Sequence, residues 1–438
     1  MKTVYVGDLL SHPSGIDVHL SGWLRSRRES GGIVFLDICD STGVIQAVCE
    51  ESLLSPKVFQ AVRRVSLESA ITVKGSLREH RNRQREIHVI EFSVIAEDTL
   101  RISPSPRKPI DIFDESMTDH LLRNRHIYLR NPQVMAILRF RSSLMAFVRE
   151  WFQKNRFLEI DAPILTAVPL YEDGSALKLD VHGESIFLTQ CVGYYLEAAV
   201  HAFERVYNMG PSFRGEESRS RRHLMEYWHI KAEIAFAGLD DIIRLVEEVI
   251  QEITNRCQNE LVDVPRTLGT SMCLDGLNPP FPRIRYEDAV RRLQSRGFDI
   301  VFGKGLGSAE EAELSKDFQS PFWVTGIPRC IEPFPYVIDQ DDPRITRVAD
   351  LIASNGFGEL LGVAEKISDP NMLAERMEEK GRLYDERYEW VRDVHRAGCV
   401  PHAAFGMGLE RLIRWLLNIP HVRDAIPFPR TFRRRVYP

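Results

Sequence analysis

The chain has 438 residues, 44% hydrophobic and 27% charged with a net charge of −5, enough for two or three domains around a sizeable core. No apolar run approaches membrane-spanning length and the N-terminal MKTVYVGDLL lacks a signal-peptide pattern, so a cytoplasmic protein with no membrane partner is expected. The seven cysteines lack CxxC or metal-ligand spacing and read as reduced, mostly buried thiols, and the negative net charge leaves any nucleic-acid binding to local basic patches.

Along the first hundred residues, short alternating runs at Val18–Leu24, Ile33–Ile38, Val44–Val48 and Ala70–Gly75 are separated by turn signals at Gly31-Gly32 and Ser41-Thr42-Gly43. They predict a small closed barrel over 1–100, and the OB-fold is the barrel that most often binds single-stranded nucleic acid. Arg25, Arg27 and Arg28 precede the strand carrying Phe35, and Gln46 lies on the next. A base could stack on Phe35 while Gln46 reads its edge. The plainer alternative is a core phenylalanine beside solvated arginines. Residues 101–130, with Pro104, Pro106 and Pro109, read as a hinge, and 131–438 as a second domain.

Apolar residues from Ile137 to Phe152 trace one face of a long helix, followed by a strand through Phe157–Pro163. Arg205–Phe236 reads as a strand, an arginine-dense loop and a second strand, with Arg214 and Glu216 at the turn. A guanidinium grips phosphate oxygens through its fork, and a neighbouring carboxylate can accept from an exocyclic amine such as that of adenine. The pair suits a nucleotide triphosphate. Leu239–Cys257 predicts a surface helix, Tyr286–Gly297 another, and Ser308–Leu314 a solvated one. Asp350 and Glu359 are acids in two later strand-like runs, a weak metal signal on spacing alone. In Ala404–Leu417, glycines close a strand and a helix follows whose first turn carries Arg411, near the positive end of its dipole.

In this order, these segments resemble motifs 1, 2 and 3 of the class II aminoacyl-tRNA synthetases, and GWLRSRRESGGIVFLDICDSTGVIQ resembles the anticodon-binding domain of the aspartyl, asparaginyl and lysyl enzymes. The segments Val422–Thr431 and Cys399–Gly406 resemble asparaginyl-tRNA synthetases more than aspartyl ones. The resemblance implies an α+β fold, an N-terminal OB barrel followed by a catalytic domain on a largely antiparallel sheet flanked by helices, and a homodimer joined through motif 1. It implies ATP and Mg2+, with Arg214 on the α-phosphate, Glu216 on the adenine amine, Arg411 on the γ-phosphate, Arg222 and His223 on the phosphate tail, and Asp350 and Glu359 on magnesium. Arg28, Phe35 and Gln46 would contact the anticodon of tRNA.

The departures from that family cluster at the amino-acid pocket. Where a serine, a glycine and a glutamine precede a Leu-Tyr pair, this chain has Cys191-Val192-Gly193-Tyr194-Tyr195, so the glutamine that helps hold the substrate's α-ammonium is absent. Where an asparaginyl enzyme has Ile-Glu-Pro-Glu, the run is Ile230-Lys231-Ala232-Glu233, a cation in place of the acid facing that ammonium. Gly-Gly-Ser-Gln-Arg becomes Gly362-Val363-Ala364-Glu365-Lys366, which loses a serine and replaces a planar fork with a point charge at the α-carboxylate contact. Glu233 and Glu365 are available to take over the lost roles. A like-charge contact in a low-dielectric pocket costs several kcal/mol, which makes ordinary asparagine a poor fit.

The chemistry implied is carboxylate activation as acyl-AMP and transfer to tRNA. Two alternatives accompany it: a paralogue that adenylates another acid for a small-molecule or amine acceptor, favoured by Gly193, Lys231 and Lys366, and a non-catalytic RNA-binding relative, against which the intact Arg214, Glu216 and Arg411 argue.

Overall fold

Strands β1 (Asp17–Ser30), β2 (Ile33–Cys39), β3 (Val44–Glu50), β4 (Ala70–Glu79) and β5 (Arg85–Ala96) close a barrel in the order β1-β2-β3-β5-β4, with β3 and β5 parallel and the other pairs antiparallel. Alternation decides which side chains enter: Leu20, Leu24, Leu36, Ile38, Ile71 and Val73 are fully buried inside it. β5 is absent from the runs read in the sequence because exposed Ile90, Val94 and Ile95 blur the alternation of its inner Ile87, Val89 and Phe92.

The computed structural model describes residues 1–80, 84–108, 110–169, 173–218, 220–274, 277–432 and 434–437. Within it the chain divides into two units, Met1–Ile110 and Asp111–Pro438. Of the prolines expected in the hinge, Pro109 lies outside the described residues. Glu115–Met117, Thr118–Arg123 and Arg125–Tyr128 are short helical turns of the second unit. Among the described residues, no helix is long and apolar enough to cross a membrane.

The second unit is built on an eight-stranded sheet. In chain order its elements are α1 (Pro132–Lys154), β6 (Leu158–Glu159), α2 (Gly193–Phe203), β7 (Arg205–Phe213), β8 (Glu226–Ala235), α3 (Leu239–Glu260), β9 (Arg283–Arg285), α4 (Tyr286–Ser295), α5 (Ser308–Ser315), β10 (Phe322–Thr325), β11 (Val348–Ala353), β12 (Gly358–Lys366), β13 (His402–Gly408) and α6 (Leu409–Leu416). The sheet runs β9-β10-β11-β12-β13-β8-β7-β6, antiparallel except for the β9–β10 and β7–β6 pairs. Mixed but largely antiparallel and flanked by helices, it matches the α+β expectation.

Asn131 caps α1 by accepting from the Gln133 and Val134 amides at 2.9 and 3.3 Å, and Pro132 supplies a pre-set first turn. The apolar stripe of α1 is spent inside the chain: Ile137, Phe140, Leu144, Val148 and Phe152 are buried, and Phe152 stacks on Tyr207 with centroids 4.2 Å apart. Any subunit contact made by motif 1 must therefore use other faces of this helix and strand. α3 likewise buries one face, with Ile242, Ile243, Val246 and Ile250 inside and Glu247 accepting from the Trp323 indole at 2.9 Å.

From the middle of α1, Arg141 donates to Glu410 Oε1 at 2.7 Å and to the Ala425 carbonyl at 3.0 Å, while Glu410 Oε2 accepts from the Trp228 amide at 3.0 Å. Both side chains are buried. Replacing Arg141 with methionine leaves Glu410 without its cation, and the expected loss is about 3–5 kcal/mol. Urea unfolding of the full chain, followed by a probe of the second unit, reads that loss as a lower midpoint; an unchanged midpoint would mean that the pair carries no stability.

Candidate active site

Four neighbouring strands, β8, β13, β12 and β11, make the floor of one cavity. Their register places Lys231, Gly406, Gly362 and Asp350 in a single row, with His229 and Gly408 ahead of it and Glu233, Ala404 and Ala364 behind. The glycines keep the floor bare. A Cβ on Gly406 would stand 2.6 Å from Lys231 Cε and 2.9 Å from His229 Nε2, and one on Gly362 would stand 3.0 Å from Asp350 Oδ1. The cavity above, of about 370 Å³, has the volume of a small-molecule site.

One end is cationic. Arg214 follows β7 and lines the cavity, and its Nη1 meets Glu216 Oε1 at 3.2 Å. Arg411, in the first turn of α6, reaches Glu359 Oε2 with Nη1 at 3.1 Å and donates through Nη2 to His223 Nε2 at 3.2 Å. Arg222 forks onto both oxygens of Glu311, one of them at 3.0 Å. Burial, then the charges of Arg411, Arg214 and Arg222, push the His223 pKa down to about 3, so its ring is neutral and its Nδ1 faces Ser218 Oγ at 2.8 Å and Ser220 Oγ at 2.6 Å. Burial and the charges of Lys231, Arg214 and Arg411 keep His229 neutral as well. Glu216 sits just outside the main cavity, in a recess shared with Arg214, His223 and Phe432.

Facing the arginines is a group of carboxylates: Asp350, Glu359 and Glu332 line the cavity and Glu311 stands behind Arg222. Burial, then the charges of Glu359, Glu332 and Glu311, raise Asp350 well above the ordinary carboxylate range, and burial with Glu359 pushes Glu332 up to about 7. Among the described residues, neither Asp350 nor Glu332 has a cationic side chain within ion-pair distance. Hard oxygen donors in excess of the cations beside them suit a divalent ion such as Mg2+.

The other end begins at Gly193, the first residue of α2. Lys231 lines the cavity there, and its ammonium touches the Sγ of buried Cys191. Lys366, buried, meets Glu197 Oε2 at 3.1 Å and Glu233 Oε1 at 3.5 Å. Burial opposes its charge, but those two carboxylates raise its pKa; Glu233 itself is pushed up to about 7, by burial first. Glu365 has no place in this group. Alternation along β12 turns it to the opposite face from Lys366, where it pairs with Arg347 Nε at 2.6 Å and accepts from the Leu239 amide at the start of α3 at 3.0 Å. It cannot take over a lost pocket role, and Glu233 is buried beside Lys366.

One cavity thus collects Gly193, Arg214, Arg222, His223, Lys231, Asp350, Glu359, Lys366 and Arg411, with Cys191, Glu216 and Glu233 at its margins and Glu365 outside. The expectation of a purely solvated helix over Ser308–Leu314 is corrected: Glu311 is buried and holds Arg222. Its three-residue spacing from buried Leu314 was the available signal. Glu332, in Ile331-Glu332-Pro333, has no periodic context that could mark it, and Glu197 is hidden within an apolar helix.

In the barrel, Arg28 Nη2 donates to Gln46 Oε1 at 3.0 Å, its guanidinium lies 6.0 Å from the half-buried Phe35 ring, and Gln46 Nε2 donates to Glu86 at 2.9 Å. The three residues share one outer face, apart from the barrel core.

Residues 117–432 match the family described as tRNA synthetases class II (D, K and N), and residues 18–97 match the OB-fold nucleic acid binding domain. The chain is 35% identical over its full length to the full-length asparagine–tRNA ligase of Pyrococcus abyssi, and 36% identical to that of Pelotomaculum thermopropionicum, with 97% of each chain covered. It superposes on the crystal structure of asparaginyl-tRNA synthetase from Pyrococcus horikoshii complexed with asparaginyl-adenylate with a TM-score of 0.92, at 34% identity and full coverage of both chains. The Entamoeba histolytica asparaginyl enzyme in complex with asparaginyl-adenylate gives 0.84 at 25% identity, over 97% of both chains. With motif-bearing strands, OB barrel and full-length likeness all in agreement, the chain belongs to the class II aminoacyl-tRNA synthetases of the aspartyl, lysyl and asparaginyl group, and within it is asparaginyl-like.

Proposed function

We propose that this chain activates the carboxylate of a small amino acid or closely related acid with ATP, releases pyrophosphate, and passes the acyl group from AMP to tRNA. Asparagine is the acid in the names of its relatives. The observation that carries this reading is the convergence of Arg214, Arg222, His223 and Arg411 on one cavity opposite a carboxylate group. A carboxylate is already ionised, so no side chain need act as nucleophile or base, and catalysis reduces to positioning and charge neutralisation. Arg214 takes the α-phosphate, where negative charge builds as the acid attacks in line. Arg411 takes the γ-phosphate, with Arg222 and His223 on the departing tail. For Arg411 and Arg222 this means exchanging Glu359 and Glu311 for phosphate oxygens. Glu216 accepts from the adenine amine. Class II synthetases use ATP with Mg2+; here Asp350 and Glu359 would hold the ion, which supplies further neutralisation of phosphate charge when bound.

We assign RNA contact to the barrel of the first unit, through Arg28, Phe35 and Gln46, and the chemistry to the second unit, Asp111–Pro438, whose helical turns at 115–128 take up most of the segment read as a hinge. A homodimer is supported by apolar side chains left exposed beside the motif 1 strand, Leu158, Ile164 and Leu165, and a cytoplasmic location is in keeping with this role.

ATP–pyrophosphate exchange over a panel of acids, followed by charging of total tRNA, tests the reading; ATP binding without exchange for any acid would defeat it. Replacing Arg214 or Arg411 with alanine is expected to lower the exchange rate about 100–1,000-fold, as loss of a transition-state donor does. Unimpaired exchange in both variants would remove these residues from the site. Phe35→Ala should leave exchange intact and weaken tRNA binding about 10–100-fold, the worth of one stacked base. Equal charging kinetics in wild type and variant would place RNA recognition elsewhere.

A further inference from the structure

Each other cation of the cavity is matched: Arg214 by Glu216, Arg222 by Glu311, Arg411 by Glu359, and Lys366 by Glu197 and Glu233. Among the described residues, Lys231 alone of the cavity's lysines and arginines has no carboxylate within 4 Å; its polar contact is Cys191 Sγ. The Cε of Lys231 occupies the space over Gly406, 2.6 Å from where a Cβ would stand. A methyl group placed on Gly193 would stand 3.6 Å from Lys231 Nζ, 3.9 Å from Lys366 Nζ and 3.5 Å from Cys191 Sγ. The space over Gly193 is therefore flanked by two ammonium groups, Lys366 with two carboxylate partners and Lys231 with none within 4 Å, at the positive end of α2. An α-ammonium brought into this space meets like charge; an anion meets an unpaired cation.

From this we infer that the acid adenylated here carries a second carboxylate on the side where an α-amino acid carries its ammonium, so that the substrate is a small dicarboxylate held by Lys231. The inference rests on the adenylation reading above. One carboxylate oxygen forms the new bond to the α-phosphorus, the bond from that phosphorus to the bridging oxygen breaks, and the electron pair leaves with pyrophosphate. The second carboxylate does not react and remains paired with Lys231.

The test is ATP–pyrophosphate exchange by the full chain with succinate, malate, succinamate, aspartate and asparagine. Succinate or malate is expected to support exchange with kcat/KM at least about tenfold above asparagine. Lys231→Met should lower that value about 100-fold, the cost of stranding a buried charge, and abolish the preference, whereas Lys231→Arg should fold alike and keep the ranking of acids. Asparagine as the preferred acid of the wild type, or an unchanged ranking in Lys231→Met, overturns the inference while adenylation stands. Absence of exchange with every acid overturns both.

Discussion

The relative position of the three motifs depends on one buried carboxylate. Glu410 sits in the first turn of α6, immediately before Arg411, and binds Arg141 of α1 through one oxygen and the backbone of β8 at Trp228 through the other. Sliding α6 along the sheet would break both bonds at once and strand the charge in a buried position, so the start of that helix is fixed against the hairpin that ends in Arg214. Arg141 also takes the Ala425 carbonyl, which anchors the segment whose Val422 closes one side of the cavity. Two guanidinium groups from distant parts of the chain therefore face the same cavity as a consequence of packing.

The arginines of the cavity are held by carboxylates, Arg214 by Glu216, Arg222 by Glu311 and Arg411 by Glu359. That arrangement has an energetic logic: a charge already desolvated and oriented loses little entropy when phosphate oxygens replace its protein partner. Glu359 stands beside Asp350 and Glu332, which among the described residues have no cationic side chain within ion-pair distance. On the proposed reading, a divalent ion beside Glu359 would favour the ionised forms of Asp350 and Glu332, whose pKa values burial and the charge of Glu359 otherwise raise. On that reading, phosphate and metal would reinforce each other there, because each would relieve the charge that the other leaves uncompensated.

Much of this was legible in the sequence, and the reasons differ by region. Arg214 and Arg411 could be read because each lies at the boundary of a strongly periodic element, where a polar residue has no packing role to hide behind. The barrel was legible through period-two alternation, except in β5, where outward-facing Ile90, Val94 and Ile95 cancel the contrast. Glu311 was faint as a site residue because a short acidic helix looks solvated: its spacing from Leu314 marks at most a buried face, and only the fold brings Arg222 to it. Glu365 illustrates the reverse: one position from Lys366 in sequence, it lies on the other face of the sheet, since strand neighbours point opposite ways. The stripe of α1 could not reveal whether it faced a partner or its own sheet, because both burials demand the same residues.

The row structure of the floor explains how the two ends of the cavity could diverge independently. His229, Lys231 and Glu233 lie two residues apart on β8, so successive side chains on the cavity face are separated by about 6.6 Å. A change at the middle row alters what the acid meets without touching the arginines ahead of it. The changes within that end are, by contrast, coupled to one another. A long side chain at 231 needs space, and a bulky residue at 193 would occupy the volume beside its ammonium; the glycine there and the small thiol of Cys191 leave that volume open. Burial opposes the charge of Lys366, and Glu197 and Glu233 beside it favour it. Electrostatics and volume thus bind positions 191, 193, 231 and 366 into one unit, whose members can be exchanged together far more readily than singly.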